Sequence, residues 1–492
     1  MPISDAEFNA WLASDNERRC VLAELDVYSG GASVTRYISD AGFRSEPSDT
    51  PANTVYEEIL TTVPRFRSVM GELLYGATFI SVGEVLIDNS GGVRDSWVVD
   101  DIWDGRTVRL LLGDPAWPRS DFRTMALGVA EGVSAYDWST LKVKMRDRQY
   151  LLTKPLQTNF ITGTSTQKDM RAPVTYGEVK NIAPVLIDSA ARRYKFHDGQ
   201  VDAITDVRAD GVAVAYTADL ANGEFTLNAA PTGRITCDVR GSKTGGTYVN
   251  STAQIIKRIL IERAGWSASD IDSTDVTTMD TDVPGAVGIY ASADSGTLVV
   301  DALDKLAAGA GAFFTIDRAG VVRLRQIKLA AGSAVLTITD EDVVPRGVTL
   351  ARRIAPRAVV RVAYATNWTP QGDSLASSVS AALREQYTQK FQVSKATNTL
   401  PEYLMATDED VDEAYFVNAS DASSEATRRA TLRSAVRRIY EIRALIGVAR
   451  VIIGDVVALD LSRYSLAGGV LARVIGVDES LTSTEVQLQV LV

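Results

Sequence analysis

Residues 79–118 read FISVGEVLIDNSGGVRDSWVVDDIWDGRTVRLLLGDPAWP. Ile80, Val82, Val85 and Ile87 are apolar, with Ser81 and Glu84 between them, the alternation of a strand with one face buried. Asp88-Asn89-Ser90-Gly91-Gly92 breaks that strand with turn residues. Trp97 and Trp103 follow as aromatic anchors. Asp104-Gly105 predicts a tight turn into a second strand over 107–112. Gly113-Asp114-Pro115 ends it, because proline cannot continue a ladder and glycine accepts unusual dihedrals. By its chemistry the stretch is two strands of an antiparallel sheet.

Upstream, 5–12 reads as a short helix with Phe8, Trp11 and Leu12 on one side. Residues 20–28 and 34–38 make a hairpin across Ser29-Gly30-Gly31, and 55–60 is a further strand. Downstream, 123–136 and 141–146 pair across Asp137-Trp138-Ser139. Residues 1–150 therefore predict one mostly antiparallel β-domain of barrel or sandwich size.

Short strands bounded by Gly, Asp, Asn or Pro make 151–248 a β-rich domain. In 249–330, helices are predicted over 251–264 and 294–308. Ser251 and Gln254 have capping-box spacing, and Gly265 stands at the C-cap. A hairpin over 313–327 makes this an α+β unit. Residues 331–435 mix strands with helices over 375–384 and 422–433. Residues 436–492 form a terminal β-block, in which Gly454-Asp455 precedes Val456-Val457-Ala458-Leu459 as Asp104-Gly105 precedes the strand at 107. This echo predicts two related β-blocks, one at each end.

The fold class is thus α+β, mostly β, in several domains. The chain has 492 residues, more than one core holds, and a formal net charge of -11. That charge disfavours an outer surface gripping DNA phosphates, which needs clustered Lys and Arg. Cys20 and Cys237, the 2 cysteines, are too few for a disulfide framework and read as buried thiols, in keeping with a reducing cytosol. The N-terminus lacks the basic start and apolar run of a signal peptide, and no stretch has the length of a membrane span.

Chemistry is sparse. His197, the 1 histidine of the chain, reads as a strand-end residue beside a turn. A Ser-His-Asp triad would have to use it, and no G-x-S-x-G elbow accompanies any serine. Gly309-Ala310-Gly311-Ala312 follows a helix instead of opening one, and Gly241-Ser242-Lys243-Thr244-Gly245-Gly246 lacks phosphate-loop spacing. Asp270, Asp272, Asp275, Asp280 and Asp282 lack the glycine and closing Glu of a calcium loop. Arg428, Arg429, Arg433, Arg437 and Arg438 read as a solvated helix face near the acidic 402–413 segment. No catalytic, cofactor-binding or metal-ligating residue is assigned, no cofactor is expected, and the chain is read as not an enzyme.

WDGRTVRLLLGDPAWPRSDFR (103–123) resembles the tail tip hub, or baseplate hub, proteins of long-tailed bacteriophages and prophages. KPLQTNF (154–160), PVTYGEVKNIAPVLID (173–188), YKFHDGQVDAI (194–204), ADLANGEFTL (218–227), GRITCDVRG (233–241) and GDVVALD (454–460) look like the same family. The motif residues are Trp103, Asp104, Gly105, Gly113, Asp114, Trp117, Gly454 and Asp455; they speak to fold and assembly rather than to a reaction. The resemblance implies two antiparallel β-barrel-like domains per chain, with smaller α+β domains between them. It implies a homotrimer that presents six barrels to a sixfold tail tube. Its partners would be the distal tail protein ring, the tail tube, the tape-measure protein and a tail fibre or tip protein. DNA would pass through the lumen without sequence-specific binding. The place implied is the virion tail tip, assembled in the bacterial host cytoplasm. Two other functions compete: an adhesin stacking host glycans on Trp97, Trp117, Trp138 or Trp368, and a cell-wall hydrolase, for which no appended lytic domain is found.

Overall fold

The computed structural model describes residues 3–12, 14, 18–71, 74–162, 166–372, 374–404, 406–408, 410–447, 450–481, 483 and 485–492. Strand Thr107–Gly113 lies at the centre of a nine-stranded sheet, between Cys20–Ser29 and Arg123–Ala135. Both faces of its pairing with Cys20–Ser29 are covered. Val21, Ala23, Leu25, Val108 and Leu110 enter the main core, while Cys20, Leu22 and Leu111 pack outward on Tyr56 and Phe122. That is why this stretch reads as a continuous apolar run instead of an alternation. Farther out, Thr140–Asp147 and Glu84–Asp88 bury alternate residues only, as a half-covered sheet requires.

The strand expected from 79 to 88 is two strands in two sheets. Gly83 divides them, its N–H donating to Arg65 O at 3.1 Å. Glu84–Asp88 joins the first sheet, paired with Thr140–Asp147, so it is not the neighbour of Thr107–Gly113. Phe79–Val82 pairs with Arg65–Val69, which pairs in turn with Leu466–Ser480 of the eight-stranded C-terminal sheet. One apolar cluster runs through both sheets.

Between them lie the middle elements. A five-stranded and a four-stranded sheet enclose Phe196, Val207, Phe225, Cys237 and Val239. Helices Thr252–Ile259, Ser273–Asp282, Val299–Gly309 and Ala419–Leu432 share another core with the hairpin Ala312–Ile316/Val322–Gln326 and strand Arg357–Tyr364. Ser251 caps the first of these by accepting from Gln254 N at 3.4 Å, but the Gln254 side chain turns to Asp280, so only half of the capping box forms. Gly265 ends that segment in the left-handed region at φ 73°, as a C-cap glycine does. The helix expected over 375–384 runs instead from Ala381 to Thr388.

The protein is mostly β, with 44% strand and 18% helix. Strand pairing leaves every sheet open, and no closed barrel forms among the described residues. Each large sheet nevertheless curls until its flanks meet in consecutive chain. In the first, Ile59 lies between flanking strands Val55–Glu58 and Leu60–Thr62, donating to Ser39 O at 3.1 Å and accepting from Asp88 N at 2.8 Å. In the C-terminal sheet, Thr337–Thr339 and Val343–Ile354 are the two edges, separated by residues 340–342. The flanks touch through single residues and short turns, too little backbone for a closing ladder.

The two sheets also share a register. Gly105 N donates to Ala130 O and Ala130 N to Arg106 O, both at 2.8 Å. Gly454 N donates to Val474 O at 2.8 Å and Val474 N to Asp455 O at 2.9 Å. Thr107 pairs with Val129, and Val456 with Arg473. The middle strand then bulges between Ala130 and Gly132 in one sheet, and between Val474 and Gly476 in the other. The third strand follows in step, with Met145 opposite Ala130 and Val490 opposite Val474.

Candidate interaction surface

At one end of the first sheet the strands run out into the turn Gly30-Gly31, the tip at 136–139 and the segment 89–106. That segment is tied at both sides. Asn89 N donates to Ser139 O at 2.6 Å, and Tyr28 and Ile102 exchange backbone hydrogen bonds of 3.0 and 2.9 Å. Two tryptophans hold its middle. Trp103 is buried and its Nε1 donates to Trp97 O at 2.8 Å, while Arg36 and Arg94 lie 5.1 and 5.7 Å from the Trp97 ring centroid. The aliphatic residues beside these anchors have nowhere to go. Helix Asp95–Val99 buries none of its side chains. Val93 is 74%, Val99 81%, Ile102 53%, Tyr136 60% and Trp138 98% exposed.

Charges rim this apolar patch. Asp95, Asp100 and Asp104 are exposed, and none makes an ion pair among the described residues. Hydrogen bonds from Ser139 N and the Thr140 hydroxyl hold the Asp137 carboxyl below its ordinary range. On the adjoining bulge, Arg146 and Lys144 hold Glu131 down to about 2. The nearby cations are engaged: Arg36 with Asp101 at 2.9 Å, Arg94 with Glu57 at 2.6 Å and Lys142 with Glu84 at 3.3 Å. An apolar centre holding a bare Trp and Tyr inside a charged rim is the make-up of a protein contact.

The motif residues fall in three places. Trp103, Asp104 and Gly105 belong to this end, and Gly105 has φ 70° with open space where a Cβ would stand. Gly113, Asp114 and Trp117 lie at the far end of strand Thr107–Gly113, where they dock helix Asp5–Leu12. Trp117 packs 4.7 Å from Trp11, Asp114 accepts from Trp11 Nε1 at 3.3 Å, and a Cβ on Gly113 would meet the Phe122 ring at 2.7 Å. Gly454 and Asp455 are covered by the middle hairpin: Phe313 Cζ lies 3.0 Å from a Gly454 Cβ, and Asp455 accepts from Arg325 at 3.0 Å. Of the tryptophans weighed for glycan stacking, Trp97 is anchored by Trp103, Trp117 by Trp11, and Trp368 is stacked on Tyr415; Trp138 stands free. The exposure of Val93, Val99 and Ile102 is not read from the sequence; the signal for the last two is VVDDI (98–102), aliphatics too close to acids for a helix of five residues to hide.

The remaining polar groups are engaged in packing. His197 is buried and accepts from Thr175 N at its Nδ1 (3.0 Å); burial, with Arg263 and Lys195 nearby, pushes its imidazole down to about 3. The aspartates of 270–282 are spread over Arg148, Arg323, Arg325, Lys328 and the cap at Ser251. No group of three His, Cys, Asp or Glu among the described residues is placed to hold a metal. The first two arginines of the run are not on a solvated face, although Arg438 at its end is exposed. Arg429 is buried, bound to Glu425, Asp412 and the helix-end carbonyls of Ala308 and Gly309, and Arg428 reaches Glu425. Cys20 and Cys237 are free and buried, and burial pushes the Cys20 thiol up to about 12. No helix among the described residues is long and apolar enough to cross a membrane.

No protein-family model and no curated protein matches the chain. Solved structures do. A protein of the virion of a native gene transfer agent particle is 14% identical at TM-score 0.44, over 68% of this chain and 86% of its own. The tail protein from Neisseria meningitidis MC58 is 9% identical at TM-score 0.40, over 96% of both chains. The prophage MuSo2 43 kDa tail protein from Shewanella oneidensis is 9% identical at TM-score 0.41, over 96% and 98%. Two of these are tail proteins and the third belongs to a virion. At TM-scores below 0.5 they carry no function to this chain.

Proposed function

We propose that the chain is a structural hub of a phage-type tail tip. It acts as an adaptor between a sixfold tail tube with its distal ring and a central tip or fibre, with DNA passing through the lumen. The observation that carries this reading is the repeated register. One chain holds the same three-stranded ladder, turn and bulge twice, at Gly105 and at Gly454. Two like wall segments per chain let three chains meet a hexameric ring without a new interface for each subunit. The net charge of -11 suits a channel that DNA slides past instead of sticking to. The sequence motifs that resemble the hub family support the same assignment. A particle map that locates the chain tests it: three copies at the tail tip are expected, and six copies, one copy or a capsid position would overturn it.

Trp138, 98% exposed at a hairpin tip beside Tyr136, favours a second reading, a tail-tip adhesin that stacks a host glycan. A glycan array decides it; binding lost in Trp138→Ser is the expected signature, and a blank array removes it.

A further inference from the structure

The C-terminal sheet ends in an edge strand, Val343–Ile354, paired along one side only with Arg437–Ala444. Its exposed side chains include two arginines and a leucine, with Thr349 the other polar one. Arg346 and Arg353 stand on it, and Arg438 is directly opposite Arg353 in register. Two like charges facing each other across a ladder repel. None of the three arginines makes an ion pair among the described residues. Leu350 is 41% exposed on the same strand, and Leu445 is 53% exposed beside its start. A chain of net charge -11 thus carries an uncompensated basic strip with apolar residues in it. The end of the first sheet carries the complement: Asp95, Asp100 and Asp104, equally without cations, around Val99, Ile102 and Trp138.

We propose that the acidic, apolar end of the first sheet receives the basic edge of the C-terminal sheet from a second copy of the chain. The two patches differ, so the contact is heterologous. Such a contact closes into a ring or runs on as a filament. A ring of three rests on the tail-hub reading; the choice of surfaces does not. Opposed charges at the rim set the register and on-rate, and the aromatic centre supplies the holding contacts.

Sedimentation equilibrium of the full chain tests this. The wild type is expected to self-associate, about tenfold more weakly at roughly 0.5 M than at roughly 0.05 M salt. The acid-end variant Asp95→Arg/Asp100→Arg/Asp104→Arg and the basic-edge variant Arg346→Glu/Arg353→Glu/Arg438→Glu should each be monomeric alone. Mixed, they should associate in strict alternation, because the native contact and the charge-exchanged contact are then both complementary, and rings of an odd number such as three cannot close from the alternating pair. All six changes in one chain should restore the closed oligomer. Trp138→Ser, at a fully exposed tip, removes the anchor without touching the fold and should also weaken association, which keeps the test sharp if a triple variant misfolds. A wild type that stays monomeric up to its solubility limit overturns the contact, as do charge variants that associate like the wild type. A closed oligomer of another copy number that obeys the charge exchange keeps the contact and breaks the trimer reading.

Discussion

The first and C-terminal sheets share a ladder and differ in what happens to its open end. At Gly454 the middle hairpin closes over the turn. Arg325 bonds Asp455, Arg473 donates to Gly454 O at 2.6 Å, and Arg318 pairs with Glu479 at 2.5 Å. At Gly105 no described residue but its chain neighbours lies within 4 Å of where a Cβ would stand. The bulge tells the same story, since Ile475 is buried while its counterpart Glu131 is half-buried and paired with surface cations. Register is a property of backbone and bulge, whereas use is a property of the side chains around them. One copy of the motif has become a joint inside the chain, and the other is left facing outward.

The largest expected effect lies at the joint. Arg318→Met leaves Glu479, only 2% exposed, buried without this ion pair, and should cost about 3–5 kcal/mol in chemical denaturation. A loss under about 1 kcal/mol would mean that the hairpin does not hold the C-terminal sheet. The paired glycines come next. Gly105→Val should cost roughly 1–3 kcal/mol for its positive φ alone. Gly454→Val, with φ 94° and Phe313 and Arg325 in the way, adds overpacking of about 1–3 kcal/mol. Equal costs at the two sites would erase the difference drawn here.

A smaller effect comes from acid. Glu131 is held down to about 2 in the folded chain against 4.5 for a free side chain. Its lowered value adds stability that is complete above about 4.5 and fades as pH falls toward about 2. Glu131→Gln should flatten that part of the pH–stability curve, and an unchanged curve would mean that the bridges to Arg146 and Lys144 contribute nothing. Trp138→Ser should be smallest of all, moving the unfolding midpoint within the range of ordinary surface changes, about 0.5 kcal/mol. A larger shift would place Trp138 in the fold and not at its outer face.

The turns and most strands were legible in the sequence, because glycine at positive φ and apolar alternation are local requirements. Asp104-Gly105 and Gly454-Asp455 announced themselves in that way. Partners were not legible. Alternation marks 79–88 as strand but does not say that Gly83 sends its two halves to different sheets. The arginines of 428–438 look like a solvated stripe, because the groups that bury Arg429 come from Asp412 and from the end of helix Val299–Gly309. The exposed end was half visible. Trp138 could be listed with three other tryptophans, but nothing in its neighbours says that Trp97, Trp117 and Trp368 would find rings to pack on and Trp138 would not.

Strand Arg65–Val69 is made early and finds its partner in Leu466–Ser480, with Arg65 bonded to Asp478 across 413 residues. A growing chain therefore carries this strand with one edge unpaired for most of its synthesis, its other edge held only by Phe79–Val82. Long-range pairing of this kind slows folding and leaves a sticky edge in the meantime. A chain cut before 466 keeps a two-stranded ribbon, Arg65–Val69 with Phe79–Val82, hung on an otherwise foldable first sheet. The C-terminal sheet acts as a latch on that ribbon, which is not finished until the last strands arrive.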